Sequence, residues 1–197
     1  MNISIALPRQ TILEDATTSD AHLLEAARKM NKDALVKIFD RYSPALYNYA
    51  FRLCNDALAA DYIVGDVFAK LLDQFSTGKG PTTNLRSYLY EMAYHLVVDE
   101  SRFSNRAAPL EVVDLLQYDG YSAAVSLENQ VMIKTIMHAI RTKLTKDQRH
   151  VIVLRFLEGF SLIETATIIG KEVTHIKVIQ NRAITALRKA LDAQITK

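Results

Sequence analysis

The sequence predicts an all-α protein of two small helical domains joined by a flexible acidic linker. Apolar residues recur at helical spacing through most of the 197 residues, and strand-like alternation of useful length is absent. Only 6 Gly and 4 Pro interrupt the pattern, which suits long helices. Turn-forming residues concentrate at 105–125. We therefore expect a loose tail at 1–18, domains at 19–104 and 129–197, and a linker at 105–128.

Caps and breaks divide the first part of the N-terminal domain into helices. Residues 20–30 have the pattern of a short amphipathic helix, and Ile38 and Tyr42 belong to the apolar stripe that follows. Ser43 and Pro44 predict a new helix, because Ser is a favoured N-cap and the first helical position does not use the N–H that Pro lacks. We therefore expect a helix boundary at Ser43.

A Gly/Pro/Thr loop separates the last two helices of this domain. Asp56 is placed to cap the first of them, whose apolar side includes Phe68 and Leu72. The loop at 76–83 contains Gly-Lys-Gly but not the residue order of a phosphate-binding loop, so no nucleotide site is expected. Asn84 is placed to cap the long helix that follows.

Thr145 and Gln148 have the spacing of a capping box, which predicts a helix that begins just after Thr145 and ends at Gly159.

The stretch at 161–189 has the pattern of a helix-turn-helix. Ser161 and Glu164 have the same capping-box spacing, which predicts a further helix beginning just after Ser161. Gly170 is placed to end that helix, because Gly adopts the left-handed conformation without steric cost. Thr174 is placed to cap a longer second helix. In a helix-turn-helix, the second helix enters the major groove of DNA.

The second helix has one apolar and one polar, basic face. Ile176, Ala183 and Leu187 share the apolar face at helical spacing. The opposite face is the candidate DNA-reading surface, formed by Thr174, His175, Lys177, Val178, Asn181, Arg182 and Arg188. An ordinary helical hairpin in a bundle would have similar caps, so this alternative stays open.

Charge is distributed unevenly, although the formal net charge is only +2. Residues 131–197 carry 12 basic and 5 acidic side chains, a net charge of +7. Residues 105–130 carry 1 basic and 4 acidic side chains, a net charge of −3. Concentrated positive charge around the helix-turn-helix is typical of a phosphate-binding module, although solvated helices are often basic as well.

The composition argues against several other classes of protein. The single Cys54 excludes an internal disulfide and a Cys-based zinc site, and fits a reducing cytoplasm. No segment reaches the roughly 18 uninterrupted apolar residues of a membrane span, and the N-terminus lacks a secretion signal. Glu91 and His95 lack the second Glu/His pair that a di-iron bundle needs. We therefore expect no metal, no cofactor, no enzyme activity and a cytoplasmic location.

Two blocks of the sequence resemble bacterial RNA polymerase sigma factors of the extracytoplasmic-function (group IV) type. Residues 144–188, LTKDQRHVIVLRFLEGFSLIETATIIGKEVTHIKVIQNRAITALR, are similar to one family region almost position for position. Residues 38–53, IFDRYSPALYNYAFRL, and residues 85–102, LRSYLYEMAYHLVVDESR, resemble the first conserved helical region and the promoter-reading helix. The blocks have the family's order and spacing, so the resemblance is more specific than a lone helix-turn-helix.

The resemblance implies a subunit that binds core RNA polymerase and directs promoter-specific transcription initiation, without catalysis of its own. The C-terminal domain would read the minus-thirty-five element of promoter DNA. The N-terminal domain would engage the minus-ten element through the loop at 76–84 and the helix after it. The linker would thread into the polymerase near the template strand or the RNA exit path. Many such factors are held inactive by an anti-sigma protein.

The resemblance also implies roles for individual residues of the N-terminal domain. Contacts with core polymerase are expected from Asp61, Tyr62, Gly65, Asp66, Phe68 and Leu72. Contacts with DNA are expected from Lys79, Asn84, Arg86, Tyr90, Tyr94 and Arg102. Tyr90 and Tyr94 are expected to be exposed platforms for unstacked bases, whereas the spacing of Tyr88 places it in the core.

Several positions depart from the family pattern. Tyr62 and Gly65 stand where an acid and a Gln are usual, so the details of core binding are expected to differ. Tyr88 and His95 replace a Trp and an Asn of the promoter helix, and Ile179 replaces a frequent basic residue of the recognition helix. These departures predict an unusual promoter preference or an additional partner.

A transcriptional regulator is the closest alternative. Such a protein would combine a helical sensing or dimerisation domain with a helix-turn-helix that binds duplex DNA without polymerase. Association with core polymerase distinguishes the two hypotheses.

Overall fold

The structure, a computed structural model, describes residues 13–103 and 127–195, with side chains for 20–99 and 131–192. Every regular element in these ranges is helical, which confirms the all-α prediction. The N-terminal unit has α1 (Leu13–Arg28), α2 (Lys32–Cys54), α3 (Ala57–Ser76) and α4 (Leu85–Phe103). The C-terminal unit has α5 (Leu127–Lys143), α6 (Lys146–Ile152) with a π-helical turn at Val153–Leu157, α7 (Leu162–Ile169) and α8 (Val173–Ile195). Most of the expected linker lies outside the described residues.

Helix α2 runs without interruption through Pro44, so the predicted boundary at Ser43 is wrong. Proline removes one helical hydrogen bond and crowds the preceding turn. Here Pro44 lies on the exposed side of α2, while Ile38, Tyr42 and Leu46 on the other side are buried. Burial of this continuous apolar stripe outweighs the local cost of one proline.

The caps predicted from the sequence are confirmed at three helix starts, those after Asp56, Thr145 and Ser161, and corrected at Asn84 and Thr174. Asp56 Oδ1 accepts from the Ala59 N–H at 3.1 Å. The structure contains two complete capping boxes, formed by Thr145 with Gln148 and by Ser161 with Glu164, and an Asn31 cap on α2. Asn84 precedes α4 but has a left-handed φ of 52°, and α8 begins before Thr174. Helix α1 begins at Leu13, inside the expected tail.

Helices α2, α3 and α4 pack together as the centre of the N-terminal unit, and α1 covers α2. Their buried side chains include Ile38, Tyr49, Ile63 and Leu89. In the C-terminal unit, α8 packs against α5, α6 and α7. A separate apolar cluster there joins α5 to α8 through Met137, Ile140, Leu144, Ile152 and Ala183. Each unit thus positions its candidate site on a packed helical frame.

The two units share one apolar core. The largest cluster of buried residues runs from α1–α4 into α6, α7 and α8, and helix α4 packs directly against α7. Phe160, Ile168 and Ile176 of the C-terminal unit belong to this cluster together with Tyr49 and Tyr90 of the N-terminal unit. The helical units predicted from the sequence as separate domains therefore adopt a closed arrangement.

Candidate nucleic-acid and polymerase interfaces

Helices α7 and α8 form the predicted helix-turn-helix. Ser161 Oγ accepts from the Glu164 N–H at 3.2 Å, and the Glu164 carboxylate accepts from the Ser161 N–H at 2.7 Å. Gly170 ends α7 with a left-handed φ of 69°, and the Lys171 N–H donates to the Ala166 carbonyl at 3.0 Å. Helix α7 is therefore fixed at both ends by hydrogen bonds that the sequence predicts, and the turn to α8 begins at Gly170.

The predicted DNA-reading face of α8 is open to solvent. All seven of its residues are exposed: Thr174, His175, Lys177, Val178, Asn181, Arg182 and Arg188. They provide positive charge for phosphates, together with amide, hydroxyl and imidazole groups for base edges. A helix that presents such a face beyond a fixed turn has the geometry needed to enter a major groove.

Ile179 belongs to the core and not to the DNA-reading face. Its side chain is 8% exposed and joins the shared apolar cluster with Ile176. The expectation that Ile179 alters base preference is therefore wrong in its mechanism, because the side chain is directed into the protein. The adjacent Gln180 accepts from Arg155 Nε at 3.1 Å, which ties α8 to the π-helical turn.

Helix α3 presents a partly apolar face to solvent. Leu58 is 81% exposed and Tyr62 is 62% exposed, and Asp61, Gly65 and Leu72 are exposed as well. The spacing of Leu58, Tyr62, Gly65 and Leu72 puts them on one side of the helix. Exposed large apolar residues gathered in this way are typical of a protein-binding surface. Leu72 is thus a surface residue, and its predicted place on the apolar inner side is wrong.

The other predicted polymerase contacts of α3 lie beside or beneath this face. Phe68 is buried, and its ring packs against Phe39 of α2 with centroids 4.8 Å apart. Phe39 itself is 45% exposed. Asp66 is half-buried, and its carboxylate pairs with Lys70 one turn later at 2.8 Å. Phe68 therefore packs beneath the exposed face of α3, whereas Asp66 lies at the edge of that face.

The loop between α3 and α4, residues 77–84, has a defined shape. Arg28 Nη1, at the end of α1, donates to the carbonyl oxygens of Gly80 at 3.0 Å and Pro81 at 2.8 Å. Gly80 has a φ of 92°, and a Cβ there would meet the Phe75 ring at 3.1 Å, so this position requires glycine. One guanidinium and a glycine therefore hold the loop in place.

The two predicted DNA contacts of this loop are exposed. Lys79 projects from its middle and Asn84 from its end. The Lys79 N–H donates to the Gln74 carbonyl at 2.8 Å, which anchors the backbone beneath the free ammonium. The loop therefore offers a charge and an amide from a fixed position. Arg102, near the end of α4, lies outside the described side chains.

The three tyrosines of α4 are not distributed as expected. Tyr90 has no exposed surface, and its hydroxyl donates to Glu158 Oε2 at 2.6 Å. Tyr94 is half-buried, with its ring 4.9 Å from that of His150, and Tyr88 is half-buried as well. The prediction that Tyr90 is exposed is therefore wrong for this closed arrangement, because the C-terminal unit covers it.

Ionisable groups at the contact between the units have shifted pKa values. Burial raises the pKa of Tyr90 well above its usual 10, and the Glu158 carboxylate adds to the shift. Burial lowers the pKa of His150 from 6.5 to about 4, and the neighbouring Arg149 charge contributes. At neutral pH the contact therefore holds a neutral imidazole and a neutral phenol.

Sequence reasoning missed Glu158, Arg28 and Arg52. Each is a single charged residue on a helix or loop, and its importance comes from a partner more than 50 positions away. One signal was present, since Glu158 precedes Gly159 at a predicted helix end. That position explains a turn, but it does not reveal a partner in the other unit.

Neither a metal centre nor a membrane span is found in the described part of the chain. No group of three or more His, Cys, Asp or Glu side chains there could hold a metal ion. No helix within 13–103 or 127–195 has the length and apolar character needed to cross a bilayer.

Comparison with known proteins identifies both units. The family model for Sigma-70 region 2 matches residues 38–107, and the one for Sigma-70, region 4 matches residues 142–189. Together the two matches cover more than half of the chain. They fall on α2–α4 and on α6–α8, which carry the candidate polymerase and DNA surfaces.

Curated relatives and solved structures agree with this match. The chain is 28% identical to the ECF RNA polymerase sigma factor BldN of Streptomyces coelicolor over 86% of its own length and 64% of the relative's. It is 26% identical to the ECF sigma factor SigX of Bacillus subtilis, over 79% of this chain and 82% of SigX.

The fold is similar to that of CnrH, which was solved in complex with the cytosolic domain of CnrY. The TM-score is 0.68 at 24% sequence identity, and the match covers 89% of this chain and 98% of CnrH. The fold is also similar to that of the sigma factor RpoE of Bartonella quintana, which was solved in complex with the anti-sigma factor NepR. The TM-score is 0.59 at 21% sequence identity, and the match covers 79% of this chain and 95% of RpoE. With both regions present in order, the chain belongs to the sigma-70 family as a sigma factor of the extracytoplasmic-function type.

Proposed function

We propose that this sigma factor binds core RNA polymerase and directs promoter-specific transcription initiation, with each unit contacting a different part of the promoter. The observation that carries the proposal is the exposed polar and basic face of α8, on a chain that also contains the sigma region 2 helices. One unit can then contact duplex DNA while the other holds the polymerase. Catalysis belongs to the polymerase, and the chain acts where the polymerase is, in the cytoplasm.

The exposed face of α3 is the proposed docking surface for core polymerase. Leu58, Tyr62 and Leu72 supply apolar area, and Asp61 and Asp66 supply negative charge beside it. Gly65 lies within this exposed face, and the buried Phe68 packs beneath it. Burial of such exposed apolar area stabilises a complex by about 25 cal/mol per Å² before the costs of association.

The loop at 77–84 and helix α4 are the proposed minus-ten surface. Lys79 and Arg86 would hold phosphates, while Tyr94 and Tyr90 would stack with unpaired bases once the C-terminal unit moves away. Base stacking on an aromatic ring contributes about 1–3 kcal/mol per base. Asn84, just before α4, and Arg102, near the C-terminal end of α4, would add further contacts to DNA.

The exposed face of α8 is the proposed minus-thirty-five surface. Lys177, Arg182 and Arg188 would contact phosphates, which position the helix without specifying sequence. Thr174, His175 and Asn181 would read base edges in the major groove, and Val178 offers an apolar contact for a thymine methyl group. The acidic linker would follow a basic nucleic-acid channel of the polymerase, and an anti-sigma protein would compete for these surfaces.

Purified core polymerase tests the proposal. The full chain should co-purify with core enzyme and support transcription that core enzyme alone does not start. Tyr62→Ala should reduce association with core polymerase and leave duplex DNA binding unchanged. Met132→Ala is the matched control, because Met132 is a similarly exposed apolar residue on α5.

A regulator that works without polymerase would give a different result. It would bind duplex DNA tightly, alone and as a dimer, and would never associate with core enzyme. That outcome would refute the sigma-factor proposal even if α8 is the DNA-binding helix.

A further inference from the structure

Arg155 of the π-helical turn donates hydrogen bonds to two other segments of the C-terminal unit. Its Nε donates to Gln180 Oε1 of α8 at 3.1 Å, and its Nη1 donates to the Phe160 carbonyl oxygen, just before α7 begins. The side chains of Arg155 and Gln180 are both half-buried. One guanidinium therefore connects the start of the first helix of the helix-turn-helix with the second.

The backbone that carries Arg155 is held in place on both sides. The Phe160 N–H donates to the Leu154 carbonyl oxygen at 2.9 Å. The Glu158 carboxylate pairs with Arg52 of α2 at 2.6 Å, which ties the end of the turn to the other unit. Arg155 thus reaches α8 from a fixed point of the fold.

Gln180 lies at the border between the buried side of α8 and its DNA-reading face. Ile179, directly before it, is buried, whereas Asn181, directly after it, is exposed. Lys177, one turn earlier, is exposed as well. Successive residues of a helix are about 100° apart around its axis. A contact at this border can therefore determine how far the reading face is turned.

The buried side of α8 constrains the helix in a different way. Ile176, Ile179 and Ala183 are each at most 8% exposed. Burial of apolar surface is non-directional, so it fixes the distance of the helix from the core more closely than its rotation. A hydrogen bond weakens as its angle bends, and arginine presents its donors in a rigid planar fork. The contact between Arg155 and Gln180 therefore adds a directional constraint to α8.

We propose that Arg155 and Gln180 are positioning residues for sequence reading. Their hydrogen bond sets the rotation of α8 in the major groove, and through it the base preference of residues such as Asn181. Contacts of this kind require side chains held to within about 0.5 Å and about 10–20° of the productive geometry. The inference rests on the proposed minus-thirty-five surface, and it adds residues that act on base preference from within the protein.

A direct phosphate contact by Arg155 is the competing explanation, and salt dependence distinguishes the two. Loss of one phosphate contact makes the slope of log K against log salt shallower by about 0.9. Loss of a hydrogen bond within the protein leaves that slope unchanged and lowers discrimination among sequences. Gln180 is uncharged, so a substitution there tests positioning alone.

Three variants and one control separate positioning from charge and folding. Gln180→Leu removes the acceptor and keeps a similar size and helix propensity. Gln180→Glu keeps an acceptor at the same length and adds a negative charge beside the reading face. Arg155→Met removes both donors. Gln74→Leu is the matched control, because Gln74 is half-buried on α3 of the other unit.

The measurement uses the full chain and duplex DNA with a randomised central segment. Bound and unbound duplexes are separated and sequenced, with and without core RNA polymerase. Discrimination is the ratio of the affinity for the parent's preferred sequence to the affinity for each single-base change of it. Fluorescence anisotropy over a series of salt concentrations gives the slope, and thermal unfolding reports whether each variant is folded.

Gln180→Leu should lower discrimination about tenfold at one or two base positions, which is within the range that a single base contact supplies. Its salt slope should equal that of the parent. Gln180→Glu should bind all duplexes more weakly and keep the parent's preference. Arg155→Met combined with Gln180→Leu should lose no more discrimination than either change alone, because both break one contact. Gln74→Leu should behave as the parent.

Parent-like discrimination in Gln180→Leu would overturn the proposal, as would additive losses in the double variant. A shallower salt slope in Arg155→Met, with the parent's preference kept in Gln180→Leu, would make Arg155 a phosphate contact instead. These outcomes leave the sigma-factor proposal intact. If Arg155→Met does not fold, the two Gln180 variants decide the question. A parent chain without sequence preference, with or without core polymerase, would refute both the reading role of α8 and the positioning role.

Discussion

Tyr49 and His150 lie 101 positions apart in the sequence, yet Tyr49 Oη and His150 Nδ1 are 2.9 Å apart. The His150 ring also meets Tyr94 with centroids 4.9 Å apart. Closure of the two units therefore buries an imidazole between a phenol of α2 and a phenol of α4. A titratable group in this position links the stability of the closed form to pH.

Charged neighbours of His150 act in both directions. Arg149 and Lys146, on the same helix, disfavour a protonated imidazole, whereas Asp147 favours it. Tyr49 and Tyr94 are the titratable groups that face the ring from α2 and α4, and burial raises the pKa of both phenols. Burial is the largest effect on His150, so the imidazole is neutral in the closed form at neutral pH.

We predict that the closed form loses stability as the pH falls from about 6.5 toward 4. The unfolded or opened chain binds a proton near pH 6.5, whereas the closed form binds it only near pH 4. Acidification therefore favours the states in which His150 is exposed, by up to about 3 kcal/mol. Urea unfolding at a series of pH values measures this effect.

His150→Gln should flatten that part of the pH profile. His175→Gln is the matched control, because His175 is exposed on α8. If both variants keep the parent's slope between pH 6.5 and 4, His150 is not the group responsible.

Arg28→Met should loosen the loop at 77–84 with little effect on the rest of the N-terminal unit. The guanidinium holds two loop carbonyls, and methionine offers similar length without a donor. Hydrogen exchange of the loop should accelerate. The rate of open-complex formation should fall about tenfold if the ordered loop lowers the activation free energy of strand capture by about 1.4 kcal/mol. Association with core polymerase should stay unchanged.

Lys29→Gln controls for a lost positive charge, because Lys29 is the residue after the end of α1 and pairs only weakly with Glu25 at the surface. Arg28→Lys should recover part of the loop protection, since an ammonium can still reach a carbonyl. Equal exchange rates in Arg28→Met and the parent would show that the loop holds its shape without Arg28.

Lys177→Ala should weaken duplex binding with little change in sequence preference. Removal of one phosphate contact should make the slope of log K against log salt shallower by about 0.9. Asn181→Ala should instead relax preference at one base position. Lys143→Ala, an exposed lysine at the end of α5, is the control for net charge. An unchanged salt slope would remove Lys177 from the phosphate contacts.

Two glycine substitutions should have opposite effects on stability. Gly170→Ala should cost about 1–2 kcal/mol, because the left-handed φ of 69° is strained for any residue with a Cβ. Gly65→Ala should stabilise α3 by roughly 0.5–1 kcal/mol, since a Cβ there meets nothing within 4 Å. Thermal unfolding measures both, and a loss of stability in Gly65→Ala would contradict the description of that face.

Local signals in the sequence predicted much of the structure. The capping boxes at Thr145 and Ser161, the cap at Asp56 and the stop at Gly170 all depend on residues within one helical turn, and all are confirmed. Pro44 shows the limit of such signals. Proline disfavours the interior of a helix, but the apolar stripe that α2 buries continues on both sides of Pro44.

Nonlocal relationships could not be predicted in the same way. The spacing of Tyr90 and Tyr94 on α4 places them outside the apolar stripe of Leu85, Leu89 and Leu96, which predicts exposure for an isolated unit. Tyr90 packs against Tyr49 of its own unit, and Glu158 and Phe160 from the other half of the chain complete its burial. No periodicity within α4 contains that information.

The π-helical turn at Val153–Leu157 makes the chain sensitive to insertions and deletions. Its wide turn closes with the Glu158 N–H donating to the Val153 carbonyl at 2.9 Å. Loss of one residue there would permit an ordinary helix and preserve both capping boxes, yet would rotate the following chain by about 100°. Glu158 would then miss Arg52, so a change in length by a single residue would break this contact between the two units while each remained folded.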